Sequence, residues 1–486
     1  MTLVLTLGVL TALSATVIVV IQYGSASGRE AGMFKTDKQA FALAEAGMNN
    51  AIAVLNNPTN NSLDPDILPL RTTNYEGGRV DWSGTLDRTA AVWTLTATGY
   101  SRNPTGPNGT SDIKRTLNAK VTVVPTLTQP LNNPSWNYLF NRSTALSPCD
   151  LTLSNNVGGS SRLYVAGDLC LNNNAGVTST ELIVHQNLKL ENNSFVGADT
   201  SMDTRVQTSV GGQCSYAKYS GGAWASPCSG NQDVRNIFSK TNPSSWQVGV
   251  NGTPPIIGAP VSDFATWYEN SIPGPSQSCT TSSGTPPTFD NDYPARNNSL
   301  ASIFDLTPAS SYTCRVGPAA TPSGELSWNA STKVLTVAGT IYIDGSVKST
   351  NSLATYNGQA VIYLSGTFWN NGKLCAAVSG GNCDFAGWNP NTEMLTITTE
   401  GSGGQAGVGN GILMDNNSQF QGALYAVANV SFTNNSRSDG PMVANQLLFA
   451  NNVQNDSFPT ITVVPVGQPG NPAVYAQPNP PQNFSG

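Results

Sequence analysis

Four acidic residues punctuate the strand-like stretches of this 486-residue chain: Asp168, Glu191, Asp344 and Asp415. Carboxylates cleave polysaccharides when they cluster on one face with basic residues, often around calcium. These four are widely spaced, and no two Asp residues alternate along any one of those stretches. Asp290 and Asp292 do alternate, but between Pro287 and Pro294, where a loop is expected. The single histidine, His185, sits in the alternating stretch ELIVHQNLKL and is expected to be hydrogen-bonded rather than catalytic. There is no GxSxG, HExxH or P-loop pattern, and no helix is expected after the glycine-rich GSGGQAGVGNG (401–411). The residues therefore point to no catalytic group, no cofactor and no metal, and the chain is expected not to be an enzyme.

The eight cysteines suggest other chemistry. Cys149, Cys170, Cys214, Cys228, Cys279, Cys314, Cys375 and Cys383 are even in number and include no CxxC pair. With one histidine available, disulfides are expected over zinc, which implies an oxidising compartment. Nearest neighbours are the expected pairs, 149–170, 214–228, 279–314 and 375–383, among 105 possible connectivities. Composition agrees with an extracytoplasmic, strand-rich protein. Only 11% of residues are charged, 39% are hydrophobic, and the net charge of −6 argues against a nucleic-acid partner. So little charge suits a surface that packs against copies of itself.

What must position these groups begins with the first 28 residues, which carry no charge at all. Residues 1–22 are nearly all apolar and long enough to cross a bilayer. A cleaved signal peptide, a plain membrane anchor and a helix that passes from membrane to filament all begin this way; the missing basic flank disfavours the first. From Phe34 the apolar residues Phe34, Phe41, Ala44, Met48, Ala51, Ile52 and Leu55 follow a helical period, and no proline occurs before Pro58. One helix over residues 1–57 is expected, greasy all round at first and then along one stripe. Residues 58–125 follow as a small antiparallel sheet. AAVWTLTATGYS sets Val92, Thr94 and Thr96 against Trp93, Leu95 and Ala97, and IKRTLNAKVTVVP alternates in the same way.

This segment resembles the N-terminal part of type IV pilin-like proteins of the PilX class, through the greasy start and AFALAEAGMNNAIAVL with Ala44, Glu45, Ala46 and Gly47. The resemblance implies a filament subunit whose helix rests in the inner membrane and is then drawn into a filament core. It implies a leader removed by prepilin peptidase and a methylated N-terminus. Filament-core contacts would then fall on Met1, Leu3, Leu5, Leu7, Leu10, Leu13, Val17, Val20 and Ile21. Packing on the sheet would fall on Phe34, Phe41, Ala44, Met48, Ile52 and Leu55. The implied partners are copies of the chain, other pilins, the inner membrane and the pilus assembly machinery, with a surface carbohydrate or a cell surface as the head's ligand. Leu5 stands where major pilins of this family carry glutamate, which pulls toward a minor or tip subunit.

After a Pro-rich linker (126–148), short greasy runs each end in an Asn pair: Asn155–Asn156, Asn172–Asn173, Asn192–Asn193, then Asn370–Asn371, Asn416–Asn417, Asn434–Asn435 and Asn451–Asn452. The gaps are 17 and 20 residues among the first three pairs and 18 and 17 among the last three, with Asn370–Asn371 lying between the two sets. A period near 18 predicts a β-helix, with first rungs over 149–200 and the remainder over 325–465, similar to bactofilin-like rungs. A sandwich with Asn-rich loops is the alternative. Residues 201–324 are expected as an irregular, disulfide-rich insert with a short helix at 260–271 capped by Ser262. Trp246, Trp267 and Tyr268 would form its small core or touch a ligand. Residues 466–486 read as a Pro-rich tail or strap. The fold class is thus α+β, mostly β: a long N-terminal helix, a small sheet, then a solenoid head. The readings left open are a main filament subunit, a minor or tip pilin acting as adhesin or assembly initiator, and a membrane-anchored β-helix carbohydrate-active enzyme.

Overall fold

A computed structural model of the chain describes residues 2–57, 60, 62–87, 90–102, 112–146, 149–186, 188–190, 194–196, 203–206, 217–220, 223–227, 255–262, 264, 278–282, 303–316, 322–343, 345–401, 411–471 and 477–485. Two compact units result: Met1–Pro125 with Tyr475–Gly486, and Thr126–Val474. The sequence of the second unit is thus inserted within that of the first.

In the first unit one unbroken helix spans Thr2–Leu55. Gly24 and Gly28 lie inside it without a break. Against its C-terminal part packs an antiparallel sheet of Arg71–Tyr75, Gly78–Asp87, Val92–Arg102 and Asp112–Val124. The alternation read from the sequence holds: Trp93, Leu95 and Ala97 are buried with Ala119 and Val121, and Trp93 donates its Nε1 hydrogen to the Ser62 carbonyl at 2.7 Å. Residues 466–486 are not a free tail. Gln477–Pro478 and Gln482–Ser485 pair antiparallel with Asp112–Val124, covering what would be an open sheet edge.

In the second unit the Asn-tipped runs pair in parallel, an arrangement compatible with the expected solenoid. Leu151, Leu169 and Leu188 share one column. Phe368, Ile412, Val430 and Leu447 share another. Each of these side chains is buried. A rung has no second layer of its own, so only its neighbours can remove its apolar side chains from water, at about 1.5–3 kcal/mol for each Leu, Ile, Val or Phe.

The order of the rungs corrects the sequence reading. The segment expected to come first does not stand at the start of a stack running 149–200 and then 325–465. Met442–Phe449 pairs with Leu139–Asn141, and Gln454–Asp456 with Gly158–Gly159, so the early rungs stack on the last ones. Residues 126–148 are therefore not a linker. They hold the strand Thr128–Pro130, a short helix Pro134–Asn137 with fully buried Trp136, and the rung strand Leu139–Asn141. Thr128–Pro130 also pairs antiparallel with Val463–Pro465, which zips together the two ends of the unit. Part of the expected insert belongs to the fold as well. Phe304–Asp305 joins the rung strand Val347–Ser349, and Tyr312–Val316 and Gly324–Asn329 form an antiparallel meander with Val334–Ile343.

The permuted order leaves a distance to cross, and a described piece of the insert crosses it. Going down the stack, the strands Glu181–Val184, Leu163–Val165, Leu139–Asn141, Met442–Phe449, Ala423–Phe432, Met394–Thr399 and Ala354–Leu364 are successive neighbours. His185 Nε2 lies 3.2 Å from the Pro255 carbonyl, and the Ile257 amide donates to Tyr164 Oη at 3.3 Å. Tyr425 Oη donates to the Pro260 carbonyl at 3.2 Å, and Phe264 meets Tyr363 edge-on. Six rung steps of about 4.8 Å make roughly 29 Å, and nine residues at about 3.3 Å span roughly 30 Å. Residues 255–262 thus run along the stack, and Phe264 meets its far end at Tyr363. Ser262 lies in this strap, and most of the helix expected at 260–271 lies outside the described residues. A second strap, 458–470, buries Val464 and Gln468 beside it.

Asn earns its place at the turns in two ways. Asn155, Asn156, Asn173, Asn417, Asn435 and Asn452 all have φ between 47° and 63°, a region that costs most L-residues about 1 kcal/mol or more. Their side chains also join the rungs: Asn173 to Asn155, Asn156 to Asn452 and Asn452 to Asn435, each at 3.1 Å. The Asn452→Ala variant is expected to lose about 2 kcal/mol, and Asn452→Gly, which keeps the backbone freedom, about half of that; urea unfolding midpoints check both. Gly159 faces the opposite opportunity. A Cβ there meets nothing within 4 Å, beside a cavity lined by Leu139, Leu153, Val157, Leu163, Val177 and Phe449. The Gly159→Ala variant should raise the same midpoint, by about 0.5–1 kcal/mol.

Candidate assembly surface

The greasy half of the helix is exposed and has no packing partner among the described residues. Leu3, Leu5, Leu7, Leu10, Leu13, Val17, Val20 and Ile21 are between 53% and 83% exposed; Met1 lies outside the described residues. By length and composition the helix can cross a membrane. Its hydroxyls are turned inward on its own backbone: Thr11 donates to the Leu7 carbonyl at 3.0 Å, Ser14 to Leu10 at 2.8 Å and Thr16 to Ala12 at 3.0 Å. A helix built this way presents almost no polar atom sideways, which suits lipid or other apolar helices and not water.

The other half is bound to the sheet by a narrow stripe. Ala40, Leu43, Ala44, Met48, Ala51 and Leu55 are buried against Val80, Trp82, Leu95 and Ala97, with Ile52 partly buried beside them. Phe34 and Phe41, expected on this stripe, are 62% and 42% exposed. At 3.6 residues per turn they lie about 60–80° round the helix from Ala44, beyond the sheet's width. The sequence reading chose them over Ala40 and Leu43 because large aromatics at a helical spacing drew the pattern off the stripe.

Small residues matter here because the backbones touch. A Cβ on Gly99 would stand 2.0 Å from the Ala40 carbonyl oxygen, and one on Gly47 would stand 2.4 Å from Val80 Cγ2. Asp37 adds a bidentate pair with Arg115, one arm 2.8 Å long, which holds the Asp37 carboxyl below its usual range. Nothing in the linear pattern singled out that pair, whose members are 78 residues apart.

The candidate chemical groups are not brought together. Asp168 and Asp415 lie on separate rungs. Asp415 is tied to its own neighbourhood, its carboxylate accepting from Trp369 Nε1 at 3.2 Å and from the Asn416 amide at 2.7 Å. His185 is half-buried against Tyr164, ring centroids 5.0 Å apart, under the strap. Glu191, Asp290, Asp292, Asp344, Trp246, Trp267 and Tyr268 lie outside the described residues. Among the described residues no group of three or more His, Cys, Asp or Glu could hold a metal ion. Cys149–Cys170, Cys279–Cys314 and Cys375–Cys383 are bonded as nearest neighbours; Cys214 and Cys228 lie outside the described residues.

No family model and no curated protein matches the chain. A crystal structure of the competence-associated pilin ComZ from Thermus thermophilus is similar at 12% identity and a TM-score of 0.33, over 93% of this chain and 98% of that one.

The close approach at Gly99 sets the expected outcome for this surface. Gly99→Val should destabilise the first unit by at least about 2 kcal/mol, because backbone cannot yield to a side chain. Asp37→Ala should leave the unfolding temperature nearly unchanged, because solvent screens an exposed ion pair. Thermal unfolding of the full chain in detergent, followed by helix circular dichroism, separates the two.

Proposed function

We propose that this chain is a structural subunit of an extracellular type IV pilus-like filament and not an enzyme. Its N-terminal helix is held first in the inner membrane and then in a core of like helices, and its β-rich head is displayed outside. The observation that carries this reading is the division of one continuous helix. Residues up to Ile21 are apolar on every side and exposed, while residues from Ala40 to Leu55 are clamped to a sheet through close backbone contacts. A mere tether has no need of a rigid continuation that fixes the greasy rod against a folded unit. A filament subunit does, since each head must hold a set position relative to its neighbours' rods.

Transfer from lipid to filament is energetically plausible because lipid tails and neighbouring helices are equally apolar. Association then rests on packing of the exposed Leu, Val and Ile side chains rather than on expulsion of water. The disulfides and the low charge of the head support an oxidising, extracellular destination. Partners on this reading are copies of the chain, other pilins and the assembly machinery. Leu5 leaves room for a minor or tip position, and immunogold labelling of sheared filaments distinguishes label along the shaft from label at the ends.

A charge in the middle of the rod provides the test. Leu10→Lys should abolish recovery in sheared filaments while the head still folds and forms its disulfides, since a buried lysine among apolar helices costs at least about 2.5 kcal/mol at every copy. Filaments that incorporate the variant at the normal level would overturn the proposal.

A further inference from the structure

One carboxyl group in the head is buried without a hydrogen bond to any described residue. Asp439 is 1% exposed, and among the described residues neither of its carboxyl oxygens has a hydrogen-bond partner. It stands in a column of equivalent rung positions, Gln421, Asp439 and Asp456. The nearest cation is already engaged. Arg437 makes a bidentate pair with Asp456 and places its guanidinium 4.1 Å from the Phe385 ring centroid. The other charged or titratable groups around the column and its cover are Asp384, Glu393, Tyr356 and Lys373, whose ammonium donates to the Gly381 carbonyl at 3.0 Å and to Asn382 Oδ1 at 2.6 Å. Burial above all, and then Glu393 and Asp439, hold the Tyr356 hydroxyl in its neutral form.

What covers the column is the stapled segment Cys375–Trp388. Gln421 anchors it, accepting from the Ala377 amide at 2.8 Å and donating to the Asp384 carbonyl at 2.7 Å. The Cys383 amide donates to Gln419 Oε1 at 2.9 Å. Trp388 closes over the turn that follows Asp439, so that a Cβ on Gly440 would stand 3.0 Å from its ring. A charge on Asp439 would thus be buried beneath this segment, beside the negative Asp456.

We propose that Asp439 is a proton-binding latch: the cover Cys375–Trp388 closes on this column while Asp439 is the neutral acid and loosens when it ionises. Burial first, and the Asp456 charge second, push this carboxyl up to about 9. In the unfolded chain it ionises near the usual value of about 3.9. Between those values the folded state holds a proton that the unfolded state has released, so stability falls as pH rises across that window. A bound cation is the rival account of two stacked carboxylates. Arg437 beside them and the lack of a third acidic ligand among the described residues favour the proton.

The test uses the full chain in detergent micelles, wild type and Asp439→Asn, with urea unfolding and hydrogen exchange read at pH 6 and pH 9.5. The wild-type midpoint should be lower at pH 9.5 than at pH 6, and that of Asp439→Asn should be nearly equal at both. At pH 9.5 the Ala377 and Cys383 amides should exchange at least about tenfold faster in wild type than in Asp439→Asn, with no such gap at pH 6. Asp456→Asn is the second variant; it frees Arg437 to pair with Asp439 and should flatten the wild-type pH slope. The proposal is overturned if both Asn variants keep the wild-type slope. It is overturned equally if calcium restores, and EDTA removes, wild-type stability at pH 9.5, since the column would then hold a cation.

Discussion

A rung of the head is stable only in register with the rung above and below it. Each contributes a few inward apolar side chains and a row of main-chain donors and acceptors, none of which can be satisfied within the rung. Asn turns fix that register at its weakest point. The chain reverses there through a left-handed residue, and the side chain then hydrogen-bonds to the matching Asn one rung away. The ladder passes from Asn452 to Asn156 without regard to chain order, so the join between the last rung and the early ones is as regular as any other.

That continuity makes the permuted order possible, and the straps follow from it. Since the chain leaves one end of the stack and resumes at the other, it must travel along the outside. The face it travels is built for this: Tyr164, Tyr425, Trp136 and Tyr363 offer both ring surface and hydroxyl or indole groups to the backbone of the straps. Recognition of backbone rather than side chain lets an unpatterned sequence such as PPIIGAP serve. The same strategy recurs at Gln421, which holds the cover segment through main-chain groups alone.

The helix solves a different problem with similar economy. Its amphipathic half is joined to the sheet by closeness rather than by bulk, through Gly99, Gly47, Ala40 and Ala44. Leu43, Met48 and Leu55 fill the stripe around these close approaches, while the leucines, valines and isoleucines up to Ile21 stay exposed. A helix so divided carries one firm interface within the chain and offers a second, unfilled one to its surroundings, and the filament reading rests on that division.

The sequence by itself determined the local elements. Apolar periodicity fixed the helix to Leu55, alternation fixed Trp93, Leu95 and Ala97 as core, and Asn pairs at a spacing near 18 announced parallel rungs, because each pattern is a property of consecutive residues. Tertiary structure alone decided which rung stacks on which, that residues 128–141 belong to the core rather than to a linker, that 458–470 is a strap rather than a rung, and that Asp439 is sealed from water. It also placed Phe34 and Phe41 off the packed stripe. Every rung has nearly the same edge, so pairing preference cannot encode order; that depends on where the connecting segments can reach. Burial of a lone carboxyl depends on what lies across from it, and here the covering residues come from Cys375–Trp388, some fifty to sixty positions away in the chain.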